Sequence, residues 1–170
     1  MMNTHTIFNP VMIRNVCSKT YLDMFMHLIP SIELWEDEEQ IAEEDYDKIN
    51  LTKLNLIEHG HYKNPVLAGI AIGLMSQIYD AGGKDYFIPE IHFCGISVKD
   101  KTTKVNLHTD NWDEKKLKVL GILNSDWDNR QDGGGFIYED MSYSLQPMNF
   151  LIFDSRQTHS NDIIFSDKER

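Results

Sequence analysis

Two stretches decide how this chain is read: Val105–Lys116, VNLHTDNWDEKK, and Leu151–Asp162, LIFDSRQTHSND. The first places His108 and Asp110 two residues apart, and the second supplies His159. Side chains alternate along a strand, so residues i and i+2 share a face. If VNLHTD ends a strand, His108 and Asp110 present one imidazole nitrogen and one carboxylate oxygen to the same point. His159 follows the apolar run NFLIFDS and is the candidate third ligand. Two histidines and one carboxylate on one face of an octahedral ion leave three positions open, which suits a non-haem iron(II) that must also hold reactants. A structural zinc site closes its coordination shell instead. Spacing alone is a weak signal. HxD recurs by chance, and a lone buried histidine is ordinarily a hydrogen-bonded core residue.

The bulk properties narrow the field. At 170 residues the chain has room for one domain with a real core, and we expect residues 1–170 to form a single unit. It is 41% hydrophobic and 25% charged, the composition of a soluble globular protein. The net charge of −11 argues against nucleic acid or an anionic membrane as a nonspecific partner. No apolar run approaches a bilayer span. The N-terminal MMNTHTIFNPVMIRN lacks an apolar segment behind a basic start, so no signal peptide is expected and the location is taken as cytoplasmic. Cys17 and Cys94 read as reduced, buried thiols; with no CxxC, neither a zinc ribbon nor a thioredoxin-type site is available.

Residues 1–85 read as mainly helical. Ser18 is placed to cap a helix through about His27, with Tyr21, Leu22, Phe25 and Leu28 on one face and Pro30 as its stop. In NPVLAGIAIGLMSQIYDAGG, Asn64 suits an N-cap, Pro65 the first turn, and Gly82 or Gly83 the stop. Its apolar residues run almost all round, which predicts burial on more than one side, against a sheet. The acidic run Glu36–Asp45 reads as a solvated loop or helix face. From Tyr86 the texture changes to short β-rich runs separated by turn residues: YFIPEIHFCGISV, KVNLHTD, KLKVLGILN, GGFIYED, SYSLQPM, NFLIFDS and THSNDIIF. Residues 86–170 therefore predict a β-sandwich or barrel, supported by the helical half: an α+β chain. DGGGF, residues 132–136, needs only a glycine-rich turn. It lacks the Lys-Ser or Lys-Thr of a phosphate loop.

At this point the residues resemble a known family. Residues 86–170 look like the Fe(II)- and 2-oxoglutarate-dependent dioxygenases, in the prolyl 4-hydroxylase-like branch. HTDN resembles the metal motif, ILNSDWD the strand ending in Leu-Asn with its Asp-Trp turn, and GGGF the glycines that open the next strand. LQPMNFLIFDSRQTHSN resembles the turn, apolar strand and loop that lead to the distal histidine. The resemblance implies a double-stranded β-helix, or jelly roll. It implies Fe(II) held by His108, Asp110 and His159, with 2-oxoglutarate as cosubstrate, O2 as oxidant and ascorbate as a supporting reductant. It also implies a basic residue after the distal histidine that pairs with the far carboxylate of 2-oxoglutarate. The candidates are Lys168 and Arg170, and the planar fork of Arg170 favours it. Where the oxygen-sensing members carry a tyrosine, this chain has Ile122, which with Leu120 would form an apolar wall. The family's last strand continues beyond the position of Arg170, so a shortened strand is expected here.

The implied reaction is hydroxylation of an unactivated C–H bond, with succinate and CO2 as co-products. The substrate would be a prolyl or other residue of a peptide, or a small molecule. Two other readings stay open: a non-catalytic jelly-roll binding module, and a cupin-like metalloenzyme that does not use 2-oxoglutarate. The direction taken by the basic residue after His159 separates them. Trp112 and Trp127 either line a substrate groove or cap the core. Arg156 either meets substrate or pairs with Asp154. His92 reads as structural, and His59 and His61 as a loop pair capable of adventitious metal binding at most.

Overall fold

The computed structural model describes residues 8–29, 36–40, 49–103, 105–110 and 117–170. Two longer helices form where their caps predict. Helix α1 (Lys19–Leu28) opens at Ser18, whose hydroxyl accepts the Tyr21 N–H at 3.1 Å. Leu22 and Phe25 are buried, but Leu28, expected on the same face, is exposed. The expected stop, Pro30, lies outside the described residues. Helix α2 (Pro65–Asp80) opens at Asn64, whose side chain accepts the Leu67 N–H at 3.1 Å. Each cap satisfies an N–H that the helix itself cannot pair.

Burial of α2 is narrower than its composition predicts. Leu67, Ala68, Ala71, Leu74 and Ile78 are buried, whereas Val66 and Ile72 are exposed. A single stripe at helical spacing meets the core, and the side that carries Val66 and Ile72 is left to water.

Among the described residues of 1–85, strands stand beside the expected helices. They are β1 (Val11–Ile13), β2 (Glu36–Gln40), β3 (Ile49–Glu58) and β4 (His61–Tyr62). Strand β3 shows why. In LTKLNLIE the leucines Leu54 and Leu56 are buried at a spacing of two. A bulge between Asn55 and Ile57 then adds a residue, so consecutive Leu56 and Ile57 both face the core. The acidic run is corrected in part: residues 36–40 form β2 rather than a loop or helix, and 41–45 lie outside the described residues.

The second half supplies β5 (Phe93–Val98), β6 (Leu117–Gly121), a short helix α3 (Asn129–Asp132), β7 (Phe136–Tyr138), β8 (Met141–Tyr143), β9 (Phe150–Asp154) and β10 (His159–Asn161). These match the predicted β-rich runs, except that KVNLHTD contributes one isolated bridge at His108 rather than a strand. Three antiparallel sheets result. One has the order β1-β9-β6, and another β10-β7-β8. In the third, β3 pairs with β5 along one edge and with β2 and β4 along the other.

Strand β9 is the hinge of the packing. All five residues of FLIFD are buried. Phe150 and Ile152 join a cluster with Leu56, Leu74 and Ile78 on the helix side. Leu151 and Phe153 face a second cluster with Ile122, Trp127, Phe136 and Tyr138. One strand thus serves two cores, with alternate side chains sent to each. The chain is mixed helix and antiparallel sheet. Among the described residues no helix is long and apolar enough to cross a membrane.

Candidate metal centre

His108 and His159 are joined backbone to backbone. The His108 N–H donates to His159 O at 2.9 Å, and the His159 N–H donates to His108 O at 2.8 Å. Residues so paired send their side chains to the same face, and the two rings lie 4.4 Å apart between centroids. Two residues on, the Asp110 N–H donates to Ser155 O at 2.9 Å, which ties the carboxylate to the end of β9. Ligand atoms of His108, Asp110 and His159 all fall within 4.8 Å of one another.

The surroundings prepare these atoms for a cation. His108 Nδ1 lies 2.8 Å from Asn106 O, and His159 Nδ1 lies 2.8 Å from Gln157 O. A carbonyl only accepts, so each Nδ1 carries the proton and each Nε2 keeps a free lone pair. His159 is buried against Phe153 and Phe136, at 5.1 and 5.8 Å between centroids. Burial lowers its pKa below the usual 6.5. The hydrogen bond to Gln157 opposes that, and the charges of His108 and Lys118 add to it. Neutral imidazole is the form that binds metal. Asp110 Oδ2 is buried with no hydrogen-bond partner, 3.7 Å from His159 Nε2. Lys118 Nζ makes a close ion pair with that oxygen, outside hydrogen-bond geometry. Two free Nε2 atoms and a carboxylate oxygen that already attracts a cation fit a divalent ion. His159 is buried and His108 exposed, so the centre opens to solvent on the His108 side.

Leu120 and Ile122 pack in the cluster that holds Phe136 and Phe153, the rings against His159. Both also border a cavity of about 300 Å³ between β5 and β6, as does Arg170; none of the three candidate ligands lines it. Arg170 is turned inward, with Nη1 buried and unpartnered. Lys168 is spent elsewhere, 3.1 Å from Asp132 Oδ2 and 3.8 Å from Asp126 Oδ2.

Trp127 is buried, and its indole N–H donates to Gly133 O at 3.1 Å, so it belongs to the core. Trp112 lies outside the described residues. Arg156 forks onto Asp154 at 3.1 and 2.9 Å. His59 and Gly60 form the turn between β3 and β4, and His92 is exposed beside Glu90. Cys17 and Cys94 are free thiols, only partly buried, and burial raises Cys94 to about 11.

Among the solved structures that resemble this chain, three cover nearly all of it. A prolyl-4-hydroxylase from Pseudomonas putida superposes with a TM-score of 0.64 at 11% identity, over 95% of this chain and 88% of that one. An oxidoreductase of the 2OG-Fe(II) oxygenase family from Burkholderia pseudomallei gives 0.66 at 15% identity, over 95% and 81%. The viral collagen prolyl hydroxylase of Paramecium bursaria Chlorella virus-1, solved with 2OG, gives 0.61 at 9% identity, over 94% and 90%. The fold is that of the 2OG-Fe(II) oxygenases. No protein-family model matches the sequence, and no curated protein matches it either. At these identities an oxygenase fold is shared while most side chains are not.

Sequence reading missed Lys118, Lys99 and Gly134. Lys118 is legible in retrospect: it precedes Leu120 by two on β6 and so shares its face. Gly134 sits at a φ of +72°, and a Cβ there would stand 2.7 Å from Arg170 Nη1.

Proposed function

We propose that this protein is an Fe(II)- and 2-oxoglutarate-dependent dioxygenase that hydroxylates an unactivated C–H bond, of a prolyl or other residue in a peptide. The observation that carries the reading is the convergence of His108, Asp110 and His159, with both Nε2 lone pairs unspent and one carboxylate oxygen that meets only the Lys118 ammonium. The likeness of fold to 2OG-Fe(II) oxygenases supports it. In this reading the sheets β1-β9-β6 and β10-β7-β8 belong to a double-stranded β-helix, with β9 and β10 leading into and carrying the distal histidine.

His108, Asp110 and His159 would hold the iron. Bound there, iron supplies the redox chemistry by which O2 is consumed, 2-oxoglutarate becomes succinate and CO2, and one oxygen atom enters the substrate. The chain's own residues do the rest. Asn106 O and Gln157 O fix the two rings through their Nδ1 protons. Phe136 and Phe153 keep water from the His159 side. Arg170, whose buried Nη1 lacks a partner, is set to receive the distal carboxylate, and Leu120 and Ile122 give that cosubstrate an apolar wall.

Succinate formation from 2-oxoglutarate, with Fe(II) and ascorbate, tests the proposal in wild type and His108→Ala. Wild type should turn over and the variant should not; equal rates overturn the assignment. Anaerobic absorption of the Fe(II)/2-oxoglutarate complex gives a second readout when turnover without prime substrate is slow. The visible band that arises when an oxo acid chelates iron(II) should form in wild type only.

A further inference from the structure

The end of β5 carries an arrangement that the metal centre does not explain. Lys99 and Arg170 exchange both backbone hydrogen bonds, each at 2.7 Å. Directly opposed residues of such a pair project to the same face, and like charges placed there repel. Both residues are half-buried, and both border the cavity between β5 and β6. Arg170 Nη1 has no partner, and among the described residues no carboxylate lies within ion-pairing distance of either cation. Lys118 stands near enough that its charge, like that of Arg170, acts on Lys99. The sequence has 27 acidic residues against 16 basic ones, so acid is not scarce. Lys168 and Arg156 each have a carboxylate. Lys99, Arg170 and the more exposed Lys118 stand near one another, and among the described residues the acid paired with this group is Asp110, a candidate metal ligand.

We propose that Lys99 is a second cationic arm of the cosubstrate site, gripping the distal carboxylate of a 2-oxo dicarboxylic acid together with Arg170. This rests on the oxygenase reading above. The chemistry is complementary: the guanidinium offers a planar fork to one side of a carboxylate, and the ammonium a point charge to its remaining lone pairs. An arriving dianion removes the repulsion between the two cations. It also supplies the partner that Arg170 Nη1 lacks. Burial, then Arg170, then Lys118 push the Lys99 pKa down to about 7. The free site is therefore partly neutral near pH 7, and an anion draws a proton onto it.

The test is calorimetric binding to the Mn(II)-loaded full chain, with 2-oxoglutarate and with 2-oxobutyrate, which lacks the distal carboxylate. Lys99→Met should weaken 2-oxoglutarate by about tenfold or more and leave 2-oxobutyrate unchanged. Lys99→Arg should restore binding. It should also abolish the loss of affinity that wild type shows between about pH 7 and about pH 8.5. Without ligand, Lys99→Met should melt no lower than wild type, since it removes a repulsion. Equal 2-oxoglutarate affinity in wild type and Lys99→Met overturns the proposal, and so does equal loss of both acids. If Mn(II)-loaded wild type binds neither acid, the oxygenase reading itself fails, which is a separate result.

Discussion

Asp110 pairs with one cation and would meet a second at the candidate metal centre. In this structure Lys118 holds its Oδ2, the oxygen a metal would take. The lysine is 44% exposed, so the pair contributes only about 0–1 kcal/mol. A divalent ion must nonetheless displace it. Lys118→Met should therefore tighten Mn(II) binding, by roughly fivefold if the pair is worth about 1 kcal/mol; unchanged or weaker affinity by titration calorimetry would contradict this. Loss of a candidate ligand should act the other way. Asp110→Ala should cost more than the roughly 10–100-fold that an outer partner costs. It should also abolish the thermal stabilisation of about 2.7 kcal/mol that wild type gains from Mn(II) at 100 times its dissociation constant.

At the scale of elements, the glycine-rich run after α3 does more than turn the chain. Gly133 and Gly134 adopt φ of +77° and +72°, and Gly134 leaves room for the Arg170 guanidinium. Gly134→Ala should cost about 1–2 kcal/mol through backbone strain alone. It should also displace Arg170, so that 2-oxoglutarate affinity falls while Mn(II) affinity holds. Melting curves and paired titrations read both; a stability loss with full oxo-acid affinity would show that the guanidinium has space to move. The β9 strand and the loop after it work together. Ser155 O anchors Asp110, and the backbone of His159 pairs with that of His108, so one connection sets all three candidate ligands.

Over the whole molecule, the charge of Lys99 should be visible in the pH dependence of stability. Its pKa is about 7 in the folded chain, against an ordinary 10.5. Between those values the unfolded chain binds more protons, so stability rises with pH from about 7 upward. Burial raises both thiols, Cys94 to about 11, which lowers stability once pH passes their ordinary 9.0. The clean window is thus about pH 7 to 8.5. There the melting temperature of wild type should rise relative to that of Lys99→Met, and parallel curves would mean that the lysine is solvated. Oxo-acid binding should run in the opposite direction, since the proposed grip requires the charged lysine.

By itself the sequence determined what local chemistry can determine. Ser18 and Asn64 start the two helices because their side chains cap them. Apart from KVNLHTD, the β-rich runs after Tyr86 contribute strands because alternation and turn residues act over a few positions. The pair His108 and Asp110 was legible from a spacing of two, and His159 from the apolar strand before it. Only the tertiary structure decided that the first half would lend β3 to a sheet, because strand pairing depends on a partner, β5, some 40 residues away. Only it showed Lys168 held by Asp132, distant in sequence, while Arg170 Nη1 stays buried without a partner. And only it brought Lys99 opposite Arg170: charges far apart along a chain become neighbours when backbone hydrogen bonds, which ignore side-chain charge, set the register.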